Sequence, residues 1–107
     1  MANGILGKSD VPAITDTSVY TVPADTFSVV TINVVNRTTV PKTVRVALAA
    51  DDASVGDDEY IEYDVEILPN GVLERTGVVI DATKEVVVRA NAVGCTAMVY
   101  GIETSTA

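Results

Sequence analysis

Histidine and tryptophan are absent from this 107-residue sequence, and cysteine and phenylalanine occur once each. Without histidine, a serine or cysteine nucleophile lacks its usual general base, and the case for a zinc site is weakened as well. Cys95 alone builds neither an internal disulfide framework nor a cysteine-based zinc site, and its solitude fits a reducing compartment of synthesis. Positive charge is scarce: Lys8, Arg37, Lys42, Arg45, Arg75, Lys84 and Arg89 are scattered among fifteen acidic residues, for a net charge of −8. Nucleic acid and anionic membranes demand a concentrated basic face, so neither is an expected partner. No apolar run approaches the roughly 18 residues of a membrane helix, and no basic-then-apolar leader opens the chain. The sequence reads as soluble and unprocessed, made in a cytoplasm.

What is there is aliphatic. The sequence is 48% hydrophobic but only 5% aromatic, so its core must come from Val, Ile, Leu and Ala. Branched side chains fit a pleated surface and are penalised in helices. A chain of this length buries about 60–70% of its unfolded surface, enough for one core and not two.

Residues 1–16 (MANGILGKSDVPAITD) show neither a period of two nor one of 3.6 and read as an extended arm. Such an arm reaches roughly 50 Å, far enough to lie on a neighbouring subunit with Ile5, Leu6, Val11 and Ile14 as its partner contacts. From Thr17 onward, short β-rich runs alternate with turn residues. Strands are expected over 17–22, 26–36, 43–49, 59–67, 72–80, 84–92 and 95–103. In the second, Val30, Ile32 and Val34 share one face; in the third, Val44, Val46 and Leu48 point inward and Arg45 outward. Tyr60, Glu62, Asp64 and Glu66 are expected on one face of the fourth, with Ile61, Tyr63, Val65 and Ile67 on the other. Pro69, Asn70 and Gly71 make the clearest turn, and Gly77 marks a bulge. Thr96, Met98, Tyr100 and Ile102 share a face of the last strand. The expectation is an all-β fold: a seven-stranded antiparallel β-sandwich over 17–107, immunoglobulin-like or jelly-roll-like, preceded by the arm.

Candidate sites are few. Ala2 to Ser9 satisfies the loose pattern of a phosphate-binding loop, but no strand precedes it and Pro12 follows where a helix is needed. Asp51, Asp52, Asp57, Asp58 and Glu59 offer oxygen ligands whose spacing matches no known calcium loop, so a solvated loop is the reading. Glu62, Asp64 and Glu66 stand about 7 Å apart on a strand face, without the cleft that would separate their pKa values. Asn36, Arg37 and Thr38 form an N-glycosylation acceptor sequence, relevant only to a secreted eukaryotic protein. Cys95 is expected as a small buried apolar residue. No catalytic residue, cofactor or metal is expected, and the chain is not expected to be an enzyme.

Several phrases carry a family likeness: YTVPA at 20–24, NVVNR at 33–37, VRVAL at 44–48, YIEYD at 60–64, NGVLERTG at 70–77 and VVVRA at 86–90. Together they resemble small virion structural proteins of tailed phages of marine bacteria, cyanophages especially. The resemblance implies no active site. It implies a capsid decoration or cement protein made in the host cytoplasm and bound to the outer capsid surface, which the arm and one sandwich face would grip. The major capsid protein and copies of itself, grouped as a trimer on a local symmetry axis, would be its partners. The alternative it leaves open is a tail-fibre or baseplate module that contacts other tail proteins or host glycans.

Overall fold

The computed structural model describes residues 2–107. Period-two alternation becomes structure most cleanly in β3 (Thr26–Asn36), where buried and half-buried residues alternate without a break. Val30, Ile32 and Val34 face inward and are at most 2% exposed. Around it run β1 (Asn3–Val11), β2 (Thr17–Thr21), β4 (Lys42–Ala49), β5 (Tyr60–Ile67), β6 (Val72–Ile80), β7 (Glu85–Ala90) and β8 (Cys95–Ser105). They form two four-stranded sheets, ordered β1-β8-β3-β6 and β2-β7-β4-β5, with every pairing between strands antiparallel. One apolar core joins them, with Val30, Ile32, Val34, Ala97 and Val99 from the first sheet against Val44, Val46, Val86 and Val88 from the second. A second, smaller cluster lies on the outside of the second sheet, where Val55 and Tyr60 cover Ala47, Ala49 and Val87. The only helical turn among the described residues is the 3₁₀ segment Asp57–Glu59, and no helix there is long and apolar enough to cross a membrane.

The described residues form eight strands, where seven were expected, and the extra one lies in the supposed arm. Residues 3–11 pair along β8 as the border strand of the first sheet, running from Asn3 opposite Ile102 to Val11 opposite Cys95. Of the four expected partner contacts, Val11 is 1% exposed in the core and Leu6 packs against it; Ile5 and Ile14 remain exposed. The beginning of the strand is tied down as well: Ala2 N donates to Glu103 Oε1 at 2.9 Å, and Glu103 N donates to Ala2 O at 3.1 Å. The period of two was hidden because Leu6 is an extra residue, so the register slips between Ile5 and Gly7.

Comparable slips mark β2 between Ser18 and Tyr20, β6 at Thr76–Gly77 and β5 twice. Gly77 is the bulge the sequence marks, with φ at +65°. The bulges in β5 overturn the expected face assignment. Two residues, Tyr63 and Asp64, stand opposite the single Arg45, so Glu66 pairs with Thr43 while Glu62 pairs with inward-facing Val46. Glu62 therefore turns away from Glu66, half-closed by a 2.9 Å ion pair to Arg75 of β6 in the other sheet. The three carboxylates do not share a face. The central pairs β3–β8 and β4–β7 keep an unbroken register.

Polar groups join the two layers at one end. The Tyr20 hydroxyl, on a residue 7% exposed, hydrogen-bonds with Ser28 Oγ at 2.6 Å and donates to Glu103 Oε2 at 2.5 Å. Burial, followed by the bond to Glu103, pushes the Tyr20 phenol up to about 12, and the same bond together with the Ala2 amide holds the Glu103 carboxyl below its ordinary 4.5. The two shifts act at opposite ends of the pH scale. Glu103 contributes stability above pH 4.5 that is lost as the pH falls through its lowered folded value. Tyr20 contributes stability that is complete below pH 10 and is lost as the pH rises through about 12. Urea-unfolding midpoints should therefore decline on both limbs, and Tyr20→Phe should flatten both; an unchanged profile in the variant would count against this linkage.

Candidate functional site

The sequence-marked positions are mostly absorbed by the fold. Gly7, Lys8 and Ser9 sit within β1, and the chain passes from there into β2 with no helix between, so no phosphate-binding loop forms. In the acidic loop, Glu59 accepts hydrogen bonds from Ala50 N and Gly56 N, and Asp51 accepts one from Ala53 N. These carboxylates serve the loop's own amides. Carboxylate oxygens of Asp51, Asp52 and Glu85 lie within 4.8 Å of one another, a grouping hidden from the sequence because Glu85 comes from β7. Asn36 is fully buried, which removes the glycosylation reading for the folded chain. Cys95 is 0% exposed, and burial raises its thiol pKa, so it behaves as a core side chain.

The outer face of the first sheet is different, because no element among the described residues lies over it. Register places its side chains in rows across four strands. Asn3, Ile102, Val29 and Val79 make one row; Ile5, Tyr100 and Thr31 make the next. Lys8, Met98, Asn33 and Glu74 follow, and then Asp10, Thr96, Val35 and Val72. Ile5 is 62% exposed, Val79 64%, Val72 57% and Ile102 51%, far more than isolated aliphatic residues in a core-facing role. Lys8, Asp10 and Glu74 bring charge to the last two rows, and the first two carry none. Tyr100 donates to Glu74 at 3.4 Å, a contact that runs along the face rather than out of it.

Four strands about 4.8 Å apart and some 10 residues long present roughly 600 Å² in projection. That is near the 800 Å² or so that each partner contributes to a stable protein interface. Exposed apolar side chains grouped on one surface mark an interaction site, and the absence of charge from the end with Ile5, Val79 and Ile102 is the compositional sign of an interface centre. Chemically the face can exclude water against another apolar surface; it has no nucleophile, no activated acid and no ligand cage.

Ile5 is the one expected partner contact that reaches this face, while Ile14 lies at the edge of the opposite sheet. The grouping of Thr96, Met98, Tyr100 and Ile102 holds, and theirs is the outward side. Val72 and Val79 were missed as surface residues. A signal existed: Val78, Val79 and Ile80 run apolar without alternation, which in a border strand puts an aliphatic residue on each face. Comparison with protein-family models, curated proteins and solved structures finds no match for this chain.

Proposed function

We propose that this chain is a non-enzymatic structural protein of a phage particle, a decoration protein held on the outer capsid surface by the exposed face of its first sheet. The single observation that carries the attachment is that uncovered face, whose end bearing exposed Ile5, Val79 and Ile102 carries no charge. The strand order supports the jelly roll over the immunoglobulin arrangement. Pairing β1 with β8, β2 with β7, β3 with β6 and β4 with β5 is what results when one long hairpin is rolled into two layers. Jelly rolls recur in viral shells, which agrees with the resemblance of the strand phrases, although a shared fold supports a role by analogy alone. Because β1 belongs to the sheet, attachment falls to the sheet face instead of a trailing arm.

The test is occupancy on purified particles. A Val79→Lys/Ile102→Lys double variant changes only surface side chains and should keep its circular-dichroism spectrum, yet each lysine must be desolvated in an apolar interface. Loss of the protein from heads, by gel densitometry and electron-microscopic maps, is the expected result. Full occupancy with both lysines in place would sink the reading, and density confined to the tail would replace it with the fibre or baseplate alternative.

A further inference from the structure

The outer face of the second sheet is chemically the reverse of the first. Arg45 of β4 and Arg89 of β7 are direct cross-strand partners, a placement in which like charges repel. Each is given a carboxylate. Arg45 donates from Nε to Asp64 Oδ1 at 2.7 Å and from Nη2 to Asp64 Oδ2 at 3.3 Å, while Arg89 Nη1 lies 3.7 Å from Asp16 Oδ1. The β5 bulge makes the first pairing, since Asp64 adopts φ of 52° there. The Arg45 guanidinium also lies over the Tyr63 ring, 4.2 Å from its centroid, and Tyr60 meets Tyr63 edge-on at 4.9 Å. Arg45, Asp64 and Tyr63 thus form a preorganised wall. On one side is a hollow of about 460 Å³ bounded by Asp57, Tyr60 and Tyr63. On the other is a hollow of about 170 Å³ lined by Arg89, Asn91 and Thr43 together with Arg45 and Asp64.

We propose that this wall and its two hollows bind a neutral saccharide. A sugar ring offers one apolar C–H face and a rim of hydroxyls that each donate and accept. Tyr63, 56% exposed and braced by Arg45, supplies an aromatic surface for the first. Carboxylate, guanidinium and amide groups, each with paired acceptors or donors, suit neighbouring hydroxyls. The Arg89–Asp16 distance of 3.7 Å is beyond hydrogen-bond length, which leaves Arg89 donors for a ligand. Charge selects the class of sugar. Asp57 is the one charged residue lining the larger hollow, Asp64 and Asp16 offset Arg45 and Arg89 at the smaller, and the whole chain carries −8, so an anionic sugar meets repulsion at the tyrosine side. A purely structural role for the cluster would account for the ion pairs but predicts no ligand. The site lies on the sheet opposite the proposed attachment face, so an attached copy would turn it outward; its test needs only the isolated protein.

An array of neutral and uronate-containing oligosaccharides probes the purified chain, and the best-captured glycan is titrated into ¹⁵N-labelled protein. Capture of neutral glycans is expected, with amide shifts centred on Tyr60, Tyr63, Arg89 and Asn91. Tyr63→Ala should weaken binding about tenfold, and Asp57→Asn, in the exposed loop, several-fold. Tyr100→Ala, an aromatic change on the other sheet, should leave affinity unchanged while all three variants keep the β-sheet spectrum. Absence of any captured neutral glycan, preference for the uronates, or wild-type affinity in both Tyr63→Ala and Asp57→Asn would overturn the proposal.

Discussion

A chain that begins at residue 12 is expected not to fold. Deletion removes Val11, which is 1% exposed, and Leu6, which packs on the same core. Full burial is worth about 1.5–3 kcal/mol, which applies to Val11, and part-buried Leu6 adds a fraction of that. The loss does not end there, because the whole pairing with β8 disappears and the inner face under β1 opens to water. Contact there is close: a Cβ built on Gly7 would lie 2.1 Å from the Val19 carbonyl oxygen, so β1 rests backbone-to-backbone on β2 and only glycine fits. Native domains of this size have about 5–15 kcal/mol in total, and the deletion consumes most of it. Loss of the cooperative melt and of solubility is the expected outcome. A soluble truncated chain with a native spectrum would show instead that β1 is an appendage. The same physics makes arm deletion a poor probe of attachment, which is why surface lysines are the better test.

Asn36→Ala is expected to lower stability by about 3–5 kcal/mol, the largest effect of any single substitution proposed for this chain. Asn36 closes β3 with its side chain buried, and the amide is fully used. Nδ2 donates to Val40 O at 2.8 Å, Ile67 O at 3.1 Å and Leu68 O at 3.3 Å; Oδ1 accepts from Thr38 N at 2.9 Å and Thr38 Oγ1 at 2.7 Å. One side chain thereby ties the turn after β3 to the end of β5 in the opposite sheet. After truncation Val40 O keeps Thr38 Oγ1 and Leu68 O keeps Gly71 N, so the cost falls on the bonds lost by Ile67 O and Thr38 N and on the emptied volume of a fully buried side chain. A fall in melting temperature of about 15 °C or more should follow. Asn33→Ala, three residues earlier on the outward side of the same strand, should change stability by less than about 0.5 kcal/mol. Equal effects at the two positions would show that the network is not what makes Asn36 matter.

These contrasts mark where sequence reasoning reached and where it stopped. Strand β3 was legible because its alternation is uninterrupted, and the 26–36 bounds match. Strand β1 was not, since Gly4, Gly7 and the extra Leu6 erase the period of two that identifies a half-buried strand. In β5 the strand itself was found but its faces were not: one added residue flips everything beyond it. The set Thr96, Met98, Tyr100 and Ile102 could be grouped, yet nothing local tells whether such a mixed row faces a core or solvent. The pairing of Arg45 with Arg89 depends on register between strands far apart in the chain, and the Tyr63–Arg45 contact depends on a bulge. Alternation reports on one strand at a time, whereas both candidate surfaces are properties of several strands in register.

The irregularities themselves have a distribution with a consequence. Each falls on a border strand, β1, β2, β5 or β6, and the interior pairs β3–β8 and β4–β7 have none. A straight, flat border is a template on which a second molecule adds its own strand, and repetition of that step yields a fibre. Kinked borders deny the template. Copies of this chain can thus be crowded shoulder to shoulder without zipping into one another, meeting their neighbours broadside and staying separate molecules.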